Sequence, residues 1–158
     1  MSANQKIGNI VKDLKRGILV QQVNAQGVMA SGVAKELREA YPAVLEDYAL
    51  AVGPLGTQTN RGQDLLGTRV WSRINDDLWI CSLVSQQFYG RKAGHRYTSY
   101  DALDTGFSYI AIQAKHLNLP VHYPLIGCGL GGGDWSIVSA IIEKNLGTID
   151  HTLWTLPR

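Results

Sequence analysis

Five glycines fall among the seven residues 127–133, directly after the apolar run Pro124-Leu125-Ile126 and just before a helical pattern that opens at Trp135. Glycine loses more conformational freedom on folding than any other residue, so such a cluster is costly as a mere turn. A peptide backbone that approaches a ligand closely, with its N–H groups turned toward it, gives the cluster a purpose. A helix starting just beyond adds unpaired N–H groups and the positive end of its dipole, which suits phosphate. The same design occurs once more. An apolar strand pattern over residues 18–23 runs into Asn24-Ala25-Gln26-Gly27-Val28-Met29-Ala30-Ser31-Gly32, and a helical pattern follows. For this first turn, ordinary punctuation explains Gly27 and Gly32 equally well. Two such turns at the carboxyl ends of strands, facing one crevice, would grip a diphosphate from both sides.

The remainder of the chain alternates in the same way. Residues 32–41 form a helical pattern stopped by Pro42, and the polar, glycine-rich stretch 53–67 is expected to be an exposed loop. Strand patterns at 69–72 and 78–84 flank Asn75-Asp76-Asp77, which supplies hairpin chemistry. The apolar residues Leu103, Phe107, Ile110, Ala114 and Leu117 recur at helical spacing and define a helix over 101–117. Pro120 breaks the chain, and a strand follows over 121–126. A helix over 135–146, capped by Asp134 and ended by Gly147, leads to a last strand over 151–156. This alternation predicts one α/β domain over 1–158, a three-layer α/β/α fold with a central mixed, mainly parallel sheet. The four tryptophans, Trp71, Trp79, Trp135 and Trp154, fall at core positions of these elements.

Composition narrows the class. Hydrophobic residues make up 45% of the chain and charged ones 18%, which fits a globular domain and not disorder. No apolar run approaches the roughly 20 residues of a membrane-spanning helix, and the N-terminus has no apolar signal region. Cys81 and Cys128 are too few for a disulfide framework, so a reducing, cytoplasmic setting is expected. A net charge of +2 without a long basic cluster argues against nucleic acid as a partner. His95, His116, His122 and His151 lack metal-ligand spacing, and neither a metal nor a cofactor is expected.

Gly127, Gly129 and Gly132 satisfy the pattern G-x-G-x-x-G, which raises a dinucleotide-binding oxidoreductase as a rival. That fingerprint belongs on a first βαβ unit with an acidic residue about 20 positions on. Here the following strand runs straight into Pro157-Arg158, with no carboxylate. No G-K-[ST] is present either, which excludes a P-loop.

The ordered combination of motifs resembles the macrodomain family over nearly the whole chain. Gly8-Asn9-Ile10 is similar to the family's early element. Residues 23–34 are similar to its first ligand loop and residues 126–132 to its second. Residues 85–91 and 96–103 are similar to a branch that processes ADP-ribose-1″-phosphate. The resemblance implies that Asn9 receives an adenine amino group beside the Ile10 amide, and that Asn24 hydrogen-bonds the distal ribose. The loop amides of Gly27, Val28, Met29, Ala30, Ser31, Gly32 and Val33 would cover the diphosphate and distal ribose. Those of Ile126, Gly127, Cys128, Gly129, Leu130, Gly131 and Gly132 would hold it from the other side. Turn formation for Asn9 and helix capping for Asn24 are the alternative roles.

Two departures bear on catalysis. The branch that removes ADP-ribose from acidic side chains uses a lysine and an aspartate where this chain has Gln86 and Gly131. A histidine proposed for one phosphatase would align with Gln21, and an amide cannot do acid–base work. The layout leaves Asn24, His95 and Asp134 as catalytic candidates for hydrolysing the terminal phosphate of ADP-ribose-1″-phosphate. Asn24 would orient a water, and His95 or Asp134 would move a proton. Helix capping for Asp134 and a solvated loop position for His95 compete with those roles. Cys128 reads as a small residue fitting a tight loop, and Tyr89 or Tyr97 as a cover for the ligand or as core. The surviving functions are that phosphatase, a reader or sponge of ADP-ribose, ADP-ribosylated protein or a cyclic ADP-ribose signal, a mono-ADP-ribosyl hydrolase, and the Rossmann-like oxidoreductase that the late position of the glycine motif argues against.

Overall fold

The computed structural model describes residues 3–29, 32–54 and 58–158. Its centre is a six-stranded sheet in the order β1-β6-β5-β2-β4-β3. The strands are β1 (Asn4–Ile7), β2 (Gly17–Asn24), β3 (Arg69–Arg73), β4 (Leu78–Gln86), β5 (Val121–Tyr123) and β6 (His151–Thr155). All neighbours run parallel except the β3–β4 hairpin. The helices are α1 (Ile10–Asp13), α2 (Gly32–Ala40), α3 (Pro42–Val52), α4 (Tyr100–Leu117) and α5 (Trp135–Leu146).

β2 is covered on both faces, which is why its sequence reads as an almost unbroken apolar run. Ile18 and Val20 face α4 and α5 in one core, with Leu83, Phe107, Ile110, Val138 and Ile142. Leu19 and Val23 face the other core, with Ile10, Leu37, Val44, Tyr48 and Trp154 from α1, α2, α3 and β6. Two helical layers thus enclose the sheet, as the alternation of patterns predicts. The caps match as well. Ser99 accepts from the Ala102 amide at the start of α4, Asp134 accepts from the Ser136 amide at the start of α5, and Gly147 closes α5.

Four places differ from the sequence reading by more than two residues. Pro42 does end α2, but it also opens α3 as its first residue, where a missing N–H costs nothing. The stretch expected as a loop over 53–67 contains a 3₁₀ segment, Thr59–Leu65, and its Gly62 packs against Ala25 under the first turn. The strand expected over 121–126 stops at Tyr123, because the chain turns at Pro124. β1, whose sequence NQKI carries little apolar signal, adds an edge strand parallel to β6.

Two histidines sit where protonation is unfavourable. His122, half-buried on β5, accepts the indole N–H of Trp154 at 2.9 Å and is pushed by burial down to about 4. His151 is held below the ordinary histidine range, first by burial, with Glu143 opposing. Its ring shares a 2.6 Å hydrogen bond with the Tyr123 hydroxyl. The unfolded chain therefore takes up protons below about pH 6.5 that the folded chain refuses. Stability from these groups is complete above that pH and is lost as pH falls toward 4. Melting temperature is expected to drop between pH 7 and pH 5, a window above most carboxylate titration. His122→Gln should flatten that slope; an unchanged slope would refute the assignment.

Candidate ligand cleft

Loop 1 leaves β2 toward α2 on one face of the sheet, while loop 2 leaves the neighbouring strand β5 toward α5 on the other. A crevice opens where two adjacent parallel strands send their connections to opposite faces. Two cavities occupy it. The larger, about 710 Å³, runs from Gly8, Asn9 and Ile10 past Gly32 and Val33 to the loop 2 residues 126–131. The smaller, about 480 Å³, is lined by Asn24, Val28, Tyr89, Gly90 and Arg91. Gln22, Ala34, Gln86 and Leu130 line both, so the cavities meet over the ends of β2 and β4.

At that junction a directed hydrogen-bond chain fixes loop 2. The Ser85 hydroxyl donates to Gln22 Oε1 at 2.7 Å, and Gln22 Nε2 donates to Gln86 Oε1 at 2.7 Å and to Thr98 Oγ1 at 3.0 Å. Thr98 Oγ1 then donates to the Gly127 carbonyl at 2.8 Å, while the Tyr97 and Thr98 amides donate to the Gly131 carbonyl at 2.8 and 3.1 Å. Gly127 has φ +76°, a conformation that favours glycine. Gly131 is a matter of space. A Cβ there would strike Thr98 Oγ1 and come within 2.7 Å of the Gly127 carbonyl.

Loop 2 uses some of its amides on itself and leaves others open. Cys128 donates to the Leu125 carbonyl, Gly132 to Gly129 and Gly133 to Gly127. Among the described residues the amides of Gly127, Gly129, Leu130 and Gly131 have no acceptor. Across the cleft lies the first turn of α2, with Gly32, Val33 and Ala34 in the cavity wall. Such a turn has unpaired N–H groups by construction. The second helix carries the cap expected of it. α5 turns its N-terminus onto its own Asp134 carboxylate, which takes the Ser136 amide at 2.8 Å and the Ser136 hydroxyl at 2.7 Å. Its dipole is already answered.

The remaining expected site residues separate into three groups. Asn9, Ile10, Gly32, Val33, Ile126, Gly127, Cys128, Gly129, Leu130 and Gly131 line the larger cavity, and Asn24 and Val28 the smaller. Gly27, Met29 and Gly132 line neither. The Met29 side chain is core, the Gly27 amide donates to Tyr48 Oη at 3.1 Å, and Gly132 packs against the His95 backbone. Ala30 and Ser31 lie outside the described residues.

Both asparagines are busy with the backbone. Asn9 Oδ1 caps α1, accepting from the Val11 and Lys12 amides at 3.0 and 3.1 Å. Asn24 Oδ1 accepts from the Gln26 amide at 3.0 Å, and its Nδ2 donates to the Val28 carbonyl at 2.7 Å. Of the three catalytic candidates only Asn24 lines a cavity. His95 is exposed and packs its ring 4.2 Å from that of Tyr97. Asp134 is an exposed cap whose carboxyl is held below the usual range, first by the Ser136 hydroxyl. Burial raises the Cys128 thiol, with Asp134 adding to it, so the thiol stays protonated. Gln21, beneath, gives its amide to the Ser82 hydroxyl at 2.8 Å.

Sequence reasoning missed Gln22, Glu36, Arg91, Trp154 and Arg158 in the cavity walls, and had Gln86 only as the place of an absent lysine. Two consecutive glutamines inside a buried strand were the visible signal for Gln22, since such residues are rarely buried without a task. Among the described residues no His, Cys, Asp and Glu group gathers to hold a metal. No helix of the structure is long and apolar enough to cross a membrane.

No family model matches the chain, and no curated protein matches it. Solved structures do. A protein of unknown function from Bacteroides thetaiotaomicron is 22% identical with a TM-score of 0.83, each chain covered over 98% of its length. A macrodomain protein from Streptomyces coelicolor is also 22% identical, with a TM-score of 0.77 over 98% of this chain and 99% of that one. The fold is a macrodomain fold. Thermosipho africanus DarTG, solved in complex with ADP-ribose, is similar as well, at 20% identity and a TM-score of 0.72. That match covers 98% of this chain and 42% of the other. In this macrodomain fold the absence of room at Gly131 has a consequence. Gly131→Ala is expected to cost about 1–3 kcal/mol through overpacking. Differential scanning calorimetry should show the melting temperature falling by roughly 3–10 °C, and an unchanged melting temperature would mean loop 2 yields freely.

Proposed function

We propose that this chain binds ADP-ribose, or a derivative extended at the distal ribose, without needing to transform it. The observation that carries the reading is the open pair of donor sets. The first turn of α2 and the amides of Gly127, Gly129, Leu130 and Gly131 face one another across the cleft where the two cavities meet. A diphosphate placed between them would be met by neutral N–H groups from both sides, in a setting where such bonds to anions are strong. The larger cavity then takes the adenosine and the smaller the distal ribose. The ADP-ribose complex of the similarly folded Thermosipho africanus DarTG supports this choice of ligand.

At the base end, Asn9 keeps its oxygen on α1, and its Nδ2 sits 3.4 Å from Glu36 Oε2. Glu36 supplies an acceptor for an adenine amino group there. At the ribose end Asn24 holds loop 1 in shape, and its contribution to a ligand is the wall it forms. A binding role is preferred over the phosphatase and the mono-ADP-ribosyl hydrolase on specific grounds. His95 and Asp134 line neither cavity. Gln86 offers an amide where a lysine would act, and Gly131 has no room for a carboxylate. An ADP-ribosylated protein is the partner this reading admits.

Isothermal titration calorimetry should give a dissociation constant for ADP-ribose in the micromolar range, about −8 kcal/mol, and no heat with NAD. Val33→Asp places a carboxylate in the first turn of α2. It suits the helix dipole but repels a diphosphate, so the variant should lose at least about tenfold in affinity, while the lost packing of a half-buried valine lowers the melting temperature without unfolding the domain. Phosphate release from ADP-ribose-1″-phosphate should match the uncatalysed background, with wild type and Asn24→Ala alike. Wild-type turnover abolished by Asn24→Ala would restore the phosphatase reading, and no binding of ADP-ribose at millimolar excess would end the proposal altogether.

A further inference from the structure

Resting on that reading of the cleft, we infer that Arg91 is a specificity-determining residue of the distal cavity, selecting ligands whose distal ribose carries a phosphate monoester over those ending in a bare hydroxyl. Among the described residues the smaller cavity is lined by amides, apolar groups and one phenol, with Arg91 as the charged residue and no carboxylate. Among the described residues the Arg91 guanidinium has neither a hydrogen-bond nor an ion-pair partner, although surface arginines nearby do find company. Arg96 lies 4.2 Å over the Tyr100 ring, and Arg69 4.2 Å over Tyr109.

The course of the backbone fixes where this side chain leaves the main chain. Gln86 Nε2 donates to the Phe88 carbonyl at 2.8 Å, and Gln26 Nε2 to the Gln87 carbonyl at 2.9 Å, which ties the segment to the ends of β4 and loop 1. Gly90 then passes so close to Tyr97 Oη that any Cβ would collide with it. The chain reaches Arg91 directly beyond that contact, beside Tyr89 at the cavity edge. A guanidinium offers paired donors that match two phosphate oxygens. The central donor sets are neutral and uniform, so they cannot distinguish one terminus of the ligand from another. Arg91 can, because it acts only on charge at the far end. Its exposure moderates the effect by solvent and salt screening.

The test is titration calorimetry at low and high salt with ADP-ribose and with ADP-ribose-1″-phosphate, for wild type, Arg91→Ala and Arg91→Lys. Wild type should bind the phosphorylated ligand about tenfold more tightly at low salt, with the preference shrinking as salt rises. Arg91→Ala should bind both ligands with equal affinity, the preference for the phosphorylated one being lost. Arg91→Lys should keep part of the preference, as a point charge without the fork. Equal wild-type affinities, or a preference that survives in Arg91→Ala, would overturn the role of Arg91 while leaving ADP-ribose binding in place. Binding of neither ligand by wild type would overturn both. Melting temperatures of the variants check folding, and Arg91 touches nothing that the fold needs.

Discussion

The hydroxyl of Thr98 is where this cleft is held together. It accepts from Gln22 on β2 and donates to Gly127 at the start of loop 2. It thereby binds three stretches of chain that are far apart in sequence: the end of β2, the segment entering α4, and the turn after β5. The chain of donors is directed, from Ser85 to Gln22 to Thr98 to Gly127, so each group is oriented by its neighbour. A single such bond contributes about 1 kcal/mol net, but an unpaired buried member costs more than that. The network therefore specifies loop 2 more than it stabilises the domain, and the open amides of that loop point where Thr98 lets them.

This explains why loop 2 is so rich in glycine. Gly127 needs its positive φ, and Gly131 must let Thr98 and Gln22 approach where a side chain would stand. The glycines are thus paired with specific polar residues on β2 and ahead of α4. An aspartate at 131 would not simply add a catalytic group to the existing loop. It would displace Thr98 and break the chain that shapes the loop, so the donor set and that acid exclude one another in this domain.

Much of the fold could be read from the chain because the signals were local. β2, α4 and α5 declare themselves by unbroken or periodic apolar residues, with Ser99, Asp134 and Gly147 at their ends. β1 could not be read, since an edge strand exposed along its length has no apolar pattern to show. α3 was hidden by Pro42, whose ring stops one helix and pre-sets the first turn of the next. The loops of the cleft were legible through their glycines, and the division of labour within them was not. Whether an amide faces the crevice or closes a turn depends on contacts such as Thr98 with Gly127, made across 29 positions of sequence. Asp134 was visible as a polar residue beside a helix, and sequence alone could not choose between cap and acid; the Ser136 contacts make it a cap.

The two helices that begin at the cleft illustrate what an unanswered dipole is worth. α5 meets its own carboxylate, so its positive end is neutralised at rest and a ligand there would have to displace Asp134. α2 presents its first turn to the cavity wall and has no acidic residue in that turn. An anion in the cleft is therefore drawn toward the α2 side, while loop 2 contributes short-range N–H groups without a macrodipole behind them. On the proposed reading, the centre would select a diphosphate by geometry and be nearly blind to what lies beyond it. Under the proposed binding mode, discrimination would pass to the extremities, where Glu36 and Arg158 stand in the wall of the larger cavity and Arg91 in that of the smaller. Neutral donors in the middle with charged side chains kept to the ends would let such a cleft hold one core ligand and still sort its derivatives by their termini.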